Sequence, residues 1–593
     1  MSSNPPMNSR AFAKRAISGV LRRIQRPIDA FYRTRHPGPV GRSLIRAAAP
    51  LVRRMVPNDR WSLPVHAPYW MQAASVHPRS PQRASKRIFM FCLYRGQFTL
   101  DLSLAALLAW RGHKVILGYL PRLGSPVKPP FEDDPSAEPY LSAALADLSR
   151  ASGGKVGAVN MASLASSDVR VDEESLSRQA VADAVIRLGT ESVDPANIEH
   201  AEAVARYRML GERTQRAAAA FFAARAHEFD LILLANGMSF EAAHVLKCAV
   251  QAGLDVVTFE KFAFRKVRIV NHGSPVFSFQ DLALLWRHRA ELGFDTEPFR
   301  SRALERAMEL LGERRRASVR NWAWKYQFAP DQDNEETISA AGIDLSLPYI
   351  LVCTNVPFDA GFYQFTTLFR SMRDWLVETV RFLLNETDTQ VVVRIHPGEM
   401  LHYGGRERSV DNLAEAGVTP HPRLIVIAPE AKVNTYPLME RCRAGVVFSS
   451  TTGIEMAMLG RPVVVGADVY YGNKGFTRDC DSRPVYFDIL RKVAAGDIDT
   501  AESRRCAAAA RLFYYMLHFV LQHPYPYDKG VDLVRTPPHR LVASAEIENY
   551  LKLLDVLTMS PDEFERELVF IYRERVLGSN LIDSKRPLAA IES

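Results

Sequence analysis

At 593 residues and 66.6 kDa, the chain exceeds what one hydrophobic core comfortably holds, so at least two domains are expected. Hydrophobic residues make up 47% and charged residues 24%, the balance of an ordinary globular protein, and no apolar run reaches the roughly 18 residues of a membrane-spanning helix. Residues 1–57 carry twelve Lys/Arg against the single acid Asp29, so with +11 there a net charge of +9 leaves −2 for the rest, which argues against a nucleic-acid-binding folded body.

Within the basic arm, "AFAKRAISGVLRRIQR" places Ile17, Val20, Leu21 and Ile24 on one side of a helix, with Lys14, Arg15, Arg22 and Arg26 opposite. A basic amphipathic helix suits an anionic membrane surface, where each cation contributes about 1 kcal/mol. Residues 8–57 are therefore expected to meet such a surface, and the protein to be peripheral at the cytoplasmic face of the cell membrane. The Arg-rich, acid-poor composition also fits a cleaved organellar leader, whereas no apolar stretch with a small-residue cleavage site points to secretion. Residues 1–85 are read as arm and connector.

The stretch "KRIFMFCLYRGQFTLDLSLAALLAWRGHKVILGYL" reads as strand 87–93, helix 99–110 and strand 114–120, a βαβ opening. Residues 121–197, rich in Pro, Ser, Gly and acids at their start, are taken as a variable insertion. A helical stretch at about 198–227 leads into "DLILLANG", "SFEAAHVLKCAVQAG" and "LDVVTFE", again strand, helix and strand, and "DLALLW" (281–286) can form a further strand. The first domain is expected over 86–330. The second, over 345–500, restarts at "LPYILVCTNV" and continues through "TQVVVRIHPGE", "PRLIVIAPE", "AGVVFSS" and "RPVVVGAD". Residues 501–593 read as C-terminal helices. Two successive alternations of strands and helices predict an α/β protein with two doubly wound domains facing a cleft. The six cysteines are scattered without a CxxC pair, which fits a reducing compartment and neither a disulfide framework nor a structural zinc site.

In such sheets ligands bind beyond the carboxyl ends of the strands. The residues in that position are Arg95, Asn236 and Glu260 in the first half, and Asn355, His396 and Ser449–Gly453 in the second, with Lys474 soon after. Ser449, Ser450, Thr451 and Thr452 exceed what capping one helix requires, and hydroxyls with free N–H groups at a helix start suit a phosphate. Gly453 would let a ligand approach the backbone. Arg394 and His396 are expected to converge on the same crevice and stabilise a phosphate leaving group. Glu455, a turn further on, is placed to accept from ribose hydroxyls.

Together "VVVRIHPGE", "FSSTTGIEMAMLGRPVVV" and "YYGNKGFT" resemble the nucleotide-sugar half of the bacterial capsule polysaccharide biosynthesis proteins, which include the Kdo transferases. They are also similar to bacterial sialyltransferases with an HP motif and a paired Ser/Thr motif. The resemblance extends over about 348–480. It implies a GT-B glycosyltransferase of inverting type, with two Rossmann-like domains, no obligatory metal or other cofactor, and the donor on the C-terminal domain. Carried over, His396, Ser449 and Ser450 contact the donor phosphate, Glu455 the ribose and Lys474 the donor region; Arg394, Asn355 and Thr451 join the expected donor-binding residues by their placement at the strand ends. A CMP-linked ulosonic acid is the implied donor, and a surface glycan or glycolipid the acceptor, met by Arg95 and Asn236. The acidic base motif of the sialyltransferases has no counterpart, since "FEDDP" (131–135) ends in proline. Glu260, ending a strand at the cleft, is the expected base. Two alternatives remain at this stage: phosphotransfer from a CDP-glycerol-type donor, and a non-catalytic assembly or export partner.

Overall fold

The computed structural model describes residues 84–92, 98–120, 149–150, 152–164, 169–262, 267–316, 335–363, 368–400, 407–497, 499–525, 545–558 and 560–578. The basic arm, Arg95 and "FEDDP" lie outside the described residues. Among the described residues no helix is long and apolar enough to cross a membrane.

Strands β1 (Arg87–Cys92), β2 (Lys114–Tyr119), β3 (Val156–Asn160), β4 (Leu231–Ala235), β5 (Val256–Lys261) and β6 (Val267–His272) come from the first half of the chain. The second half supplies β7 (Tyr349–Cys353), β8 (Gln390–Arg394), β9 (Leu424–Ile427), β10 (Ala444–Val447), β11 (Val463–Val465) and, after the long helix Thr500–Tyr515, β12 (His523–Pro524). Two sheets result, one in the order β12-β6-β5-β4-β1-β2-β3 and one in the order β11-β10-β7-β8-β9. The second sheet is parallel throughout; in the first, β6 and β12 run antiparallel to their neighbours. Runs such as LILLA and YILVC are buried along their whole length, as strands covered on both faces must be. The fold is α/β with two Rossmann-like sheets, the GT-B arrangement.

Two expectations are corrected. The segment 121–197 is not all insertion: it contains β3 and the helix Glu173–Leu188. The strand is an edge strand with one fully buried residue, Val156, so it carries little apolar signal. "DLALLW" belongs to the helix Gln280–Arg287, and the strand of that region is β6. Asp281 points inward from this helix, accepting from the His272 backbone N–H at 3.2 Å and pairing with its Nδ1 at 2.6 Å. The described residues after 500 are mostly helical, as expected, and they fold back onto the first half of the chain. The helix Thr500–Tyr515 packs on the helix Phe299–Arg315, and β12 then joins the first sheet beside β6. The helices Ala545–Leu553 and Pro561–Gly578 follow, fastened there by His272 Nε2 with the Leu553 carbonyl (2.9 Å) and by the Thr558 N–H to Asp255 (2.7 Å).

A further tie joins the halves on another side. Glu191 reaches the start of the helix Met372–Glu386, where its carboxylate accepts from the Met372 and Arg373 backbone N–H groups. Burial pushes this carboxyl up to about 7 against those two hydrogen bonds.

Candidate functional site

Register builds the site. Cys353 in β7 pairs with Arg394 in β8 and with Val447 in β10. The residue two positions beyond each is Asn355, His396 or Ser449, so three polar side chains stand abreast where the strands end. β7 and β10 also flank the point where the strand order reverses, the usual ligand crevice of such sheets. In the first sheet Ala235 pairs with Phe259, which sets Asn236 beside Glu260.

A cavity of about 920 Å³ lies between the two ends and is lined from both domains, with Glu260 on one wall and Asn355, His396, Ser449, Ser450, Thr451 and Lys474 on the other. Asn355 Oδ1 accepts from the Ser449 backbone N–H at 3.2 Å, tying β7 to β10. His396 is fixed through its backbone N–H to Thr354 Oγ1 (3.0 Å), and its Nδ1 accepts from the Gly398 N–H (2.9 Å). With Nδ1 an acceptor, the neutral imidazole carries its proton on Nε2. Ser449 is 8% exposed, and its hydroxyl has no partner among the described residues, an uncommon state for a buried polar atom and an open donor on the cavity wall. Ser450 Oγ instead accepts from Thr452 Oγ1 at 2.9 Å and from the Thr452 N–H at 3.4 Å, at the start of the short helix Thr452–Met458, whose N-cap residue Thr451 makes no side-chain cap bond. Thr451 is exposed at the rim. Lys474 Nζ donates to the Gly472 carbonyl at 2.9 Å, and partial burial lowers its pKa.

Across the cavity, Glu260 accepts from the Lys261 N–H at 2.8 Å and from Asn236 Nδ2 at 3.4 Å. Burial raises its pKa against these bonds and the charge of Arg268. Asn236 itself does not line the cavity. It sits in the left-handed region (φ 66°), where Asn is tolerated better than most side chains, and it orients Glu260.

Two expected site residues are elsewhere. Arg394 is buried beneath the β8 end, donating to the Ala428 carbonyl at 2.8 Å and to the Val433 carbonyl at 3.4 Å. It pins the chain after β9, and burial lowers it to about 10. Glu455 turns into the core, where Arg314 meets it at 2.8 Å, because its position on the helix faces the helices Phe299–Arg315 and Thr500–Tyr515. Gly453 is likewise spoken for: a Cβ there would stand 2.7 Å from the Tyr471 hydroxyl, so it serves packing rather than ligand approach. Glu399, next to the His-Pro pair, accepts from the Ser409 hydroxyl at 2.7 Å and is structural.

Residues that strand-end reasoning did not single out complete the cavity. Asp359 follows β7 by six residues, on the helix Pro357–Tyr363, and burial pushes it up to about 7. Phe262, Phe277, Phe279 and Tyr470 supply aromatic rings. Apolar residues read as core in a sequence, so no local signal distinguishes them. Among the described residues no three His, Cys, Asp or Glu side chains are grouped to hold a metal ion.

The half of the site formed by Asn355, His396, Ser449 and Lys474 falls within a region, residues 342–515, that matches the family described as capsule polysaccharide biosynthesis protein. No curated protein matches the chain. Among solved structures, the chain is similar to the β-Kdo 2,4 transferase of Thermosulfurimonas dismutans KpsC, at 16% identity over 52% of this chain and 87% of that one, with a TM-score of 0.32. The β-Kdo 2,7 transferase of the same KpsC matches at 14% identity over 45% and 75%, TM-score 0.27. MnaA of S. aureus with UDP matches at 10% identity over 72% and 91%, TM-score 0.25. The capsule-family region contains every C-terminal cavity residue named above, whereas Glu260 and the three phenylalanines lie outside it.

Proposed function

We propose that this protein is a glycosyltransferase of capsule synthesis, moving a sugar from a nucleotide donor on the C-terminal wall to a glycan or glycolipid acceptor on the N-terminal wall. The observation that carries the reading is the register that sets Asn355, His396 and Ser449 abreast, facing Glu260 across one cavity. The donor phosphate lies against the Ser449 hydroxyl, His396 Nε2–H and Lys474, donors that stabilise the charge left as the nucleotide departs. Glu260 takes the proton of the acceptor hydroxyl as that oxygen bonds to the anomeric carbon. The bond from that carbon to the phosphate oxygen breaks with its electron pair leaving on the nucleotide, so configuration inverts in one displacement. A CMP-linked ulosonic acid is the favoured donor, no metal takes part, and the basic arm holds the enzyme at the cytoplasmic membrane face.

Nucleotide release from a panel of sugar nucleotides, with and without a membrane lipid extract, tests the reading. His396→Ala and Glu260→Gln are each expected to lower turnover by about 100-fold or more. A base acts only when ionised. Because Glu260 is held above the ordinary carboxylate range, turnover should fall, as pH is lowered, at a higher pH than the roughly 4.3 of an exposed glutamate. Asp359→Asn should leave that limb in place. Full turnover in Glu260→Gln would remove the base assignment, and phosphate found attached to the acceptor product would replace glycosyl transfer by phosphotransfer.

A further inference from the structure

Two kinds of contact join the domains. Beside the returning helix Thr500–Tyr515 they are ion pairs, Arg314 with Glu455 at 2.8 Å and Arg315 with Glu440. On another side the joint is Glu191. The helix Glu173–Leu188 ends at Gly189 in the left-handed region (φ 70°), and Thr190 Oγ1 donates to the Ser192 carbonyl at 2.9 Å. That short turn delivers the Glu191 carboxyl to the start of the helix Met372–Glu386 in the second domain. There it accepts from the Met372 N–H and, at 3.0 Å, from the Arg373 N–H, two groups that a helix leaves without intrahelical partners. The Glu191 backbone N–H donates in turn to Glu407 Oε2 at 2.7 Å. The same helix Glu173–Leu188 packs on the helix Pro357–Tyr363, which carries the cavity residue Asp359, so this joint is connected directly to the cavity wall.

We propose that Glu191 is a latch between the domains, seated while the cavity is closed and withdrawn when the domains part to exchange ligands. This goes beyond the transfer reading and holds for any ligand of the cavity. The latch differs from the ion pairs in the charges around it. Among the described residues no cation pairs with Glu191, and the charged groups that bear on it are the carboxylates of Glu407 and Asp374. The nearby guanidinium groups of Arg373 and Arg408 are taken by Glu415 at 2.7 Å and Glu430 at 2.6 Å. A carboxylate only 8% exposed and held by neutral N–H groups alone is poorly compensated for its lost hydration. Parting the domains here returns it to water, whereas parting Arg314 from Glu455 would separate a buried pair of opposite charges. Burial holds the seated carboxyl at about 7, and a released glutamate titrates at about 4.3. The closed state therefore binds the extra proton, so closure is strongest at low pH and weakens as pH rises through about 7.

Hydrogen exchange of the full chain, read residue by residue through electron-transfer fragmentation, tests the latch. Protection factors, corrected for intrinsic rates, are compared at about pH 5.5 and about pH 8, either side of the Glu191 titration. The Met372 and Arg373 amides are expected to lose protection by about tenfold or more as pH rises. The Asp374 amide, held by Ser371 Oγ of its own domain at 3.0 Å, should keep its protection. Glu191→Gln, neutral at every pH, should abolish the pH dependence. Glu191→Ala should leave the Met372 and Arg373 amides weakly protected at both pH values and, by small-angle scattering, give a larger radius of gyration than the wild type at the lower pH. Equal protection of the two amides at both pH values in the wild type would overturn the latch. So would a joint loss at Met372, Arg373 and Asp374, which marks fraying of the helix start, or an unchanged radius of gyration in Glu191→Ala, which would make Glu191 a helix cap alone. None of these readouts needs a donor or acceptor, so a failure of the transfer reading is told apart from a failure of the latch.

Discussion

Ser449 and Glu455 lie six residues apart in one motif and end in opposite environments. The serine hydroxyl stands at the cavity wall with no partner among the described residues, whereas the glutamate is sealed against Arg314. A phosphate reaching the wall gains a hydrogen bond from Ser449 without displacing an existing one. Ser449→Ala is therefore expected to raise nucleotide Kd by about fivefold, the equivalent of one hydrogen bond of about 1 kcal/mol, and to leave unfolding unchanged. Calorimetric titration with CMP and UDP checks this, and an unaltered Kd would take Ser449 out of the donor site. His396 belongs to the same scale: the Gly398 N–H decides which of its nitrogens carries the proton, a detail of two-residue geometry rather than residue type.

At the scale of the element, the junction of β10 with the helix Thr452–Met458 is held by close packing. The Ser450 hydroxyl accepts from Thr452 at the helix start, and Tyr471 crosses beneath it, its hydroxyl fixed by the Ser450 carbonyl. A methyl group at position 453 would press on that hydroxyl and on Val447. Gly453→Ala should therefore destabilise by about 1–3 kcal/mol, the usual cost of overpacking a tight site. Gly453→Ala/Tyr471→Phe should recover part of the loss by removing the atom in the way. Urea unfolding of both variants measures it, and an unshifted midpoint in the single variant would show that the loop yields freely. The β6 region illustrates the complementary problem. Its strand VRIVNH and the following helix QDLALLWR are both short and apolar, and their periods do not differ enough over that length to separate them.

At the scale of the whole molecule, the chain passes from the first sheet to the second and back. The return brings the helix Thr500–Tyr515 against both the helix Phe299–Arg315 and the helix Thr452–Met458. Arg314 stands at this three-way contact, bonded to Glu455 and to the Tyr514 hydroxyl at 2.9 Å. Removing one partner of a buried pair leaves the other charge uncompensated, so Arg314→Met should lower stability by about 3–5 kcal/mol. Arg314→Met/Glu455→Leu should regain most of it and keep the nucleotide Kd of the parent protein. Denaturant unfolding with titration of the folded double variant tests both halves. A large loss of nucleotide affinity in that variant would return Glu455 to the donor site.

The two-sheet α/β architecture is legible in the sequence, because fully buried parallel strands must be written as continuous apolar runs. The sequence by itself also located Asn355, His396, Ser449 and Glu260, because residues after such runs necessarily lie at strand ends. Local pattern does not encode the direction in which a helical or strand-end side chain points once other elements pack on it. Hence Arg394 and Glu455 went to buried contacts, and Gly453 to Tyr471. The edge strand β3 and the return of β12 to the first sheet depended on pairing between segments far apart in the chain. The phenylalanine wall was beyond reading for the same reason: an apolar side chain is core or cavity lining according to what faces it, and only the tertiary structure supplies that neighbour.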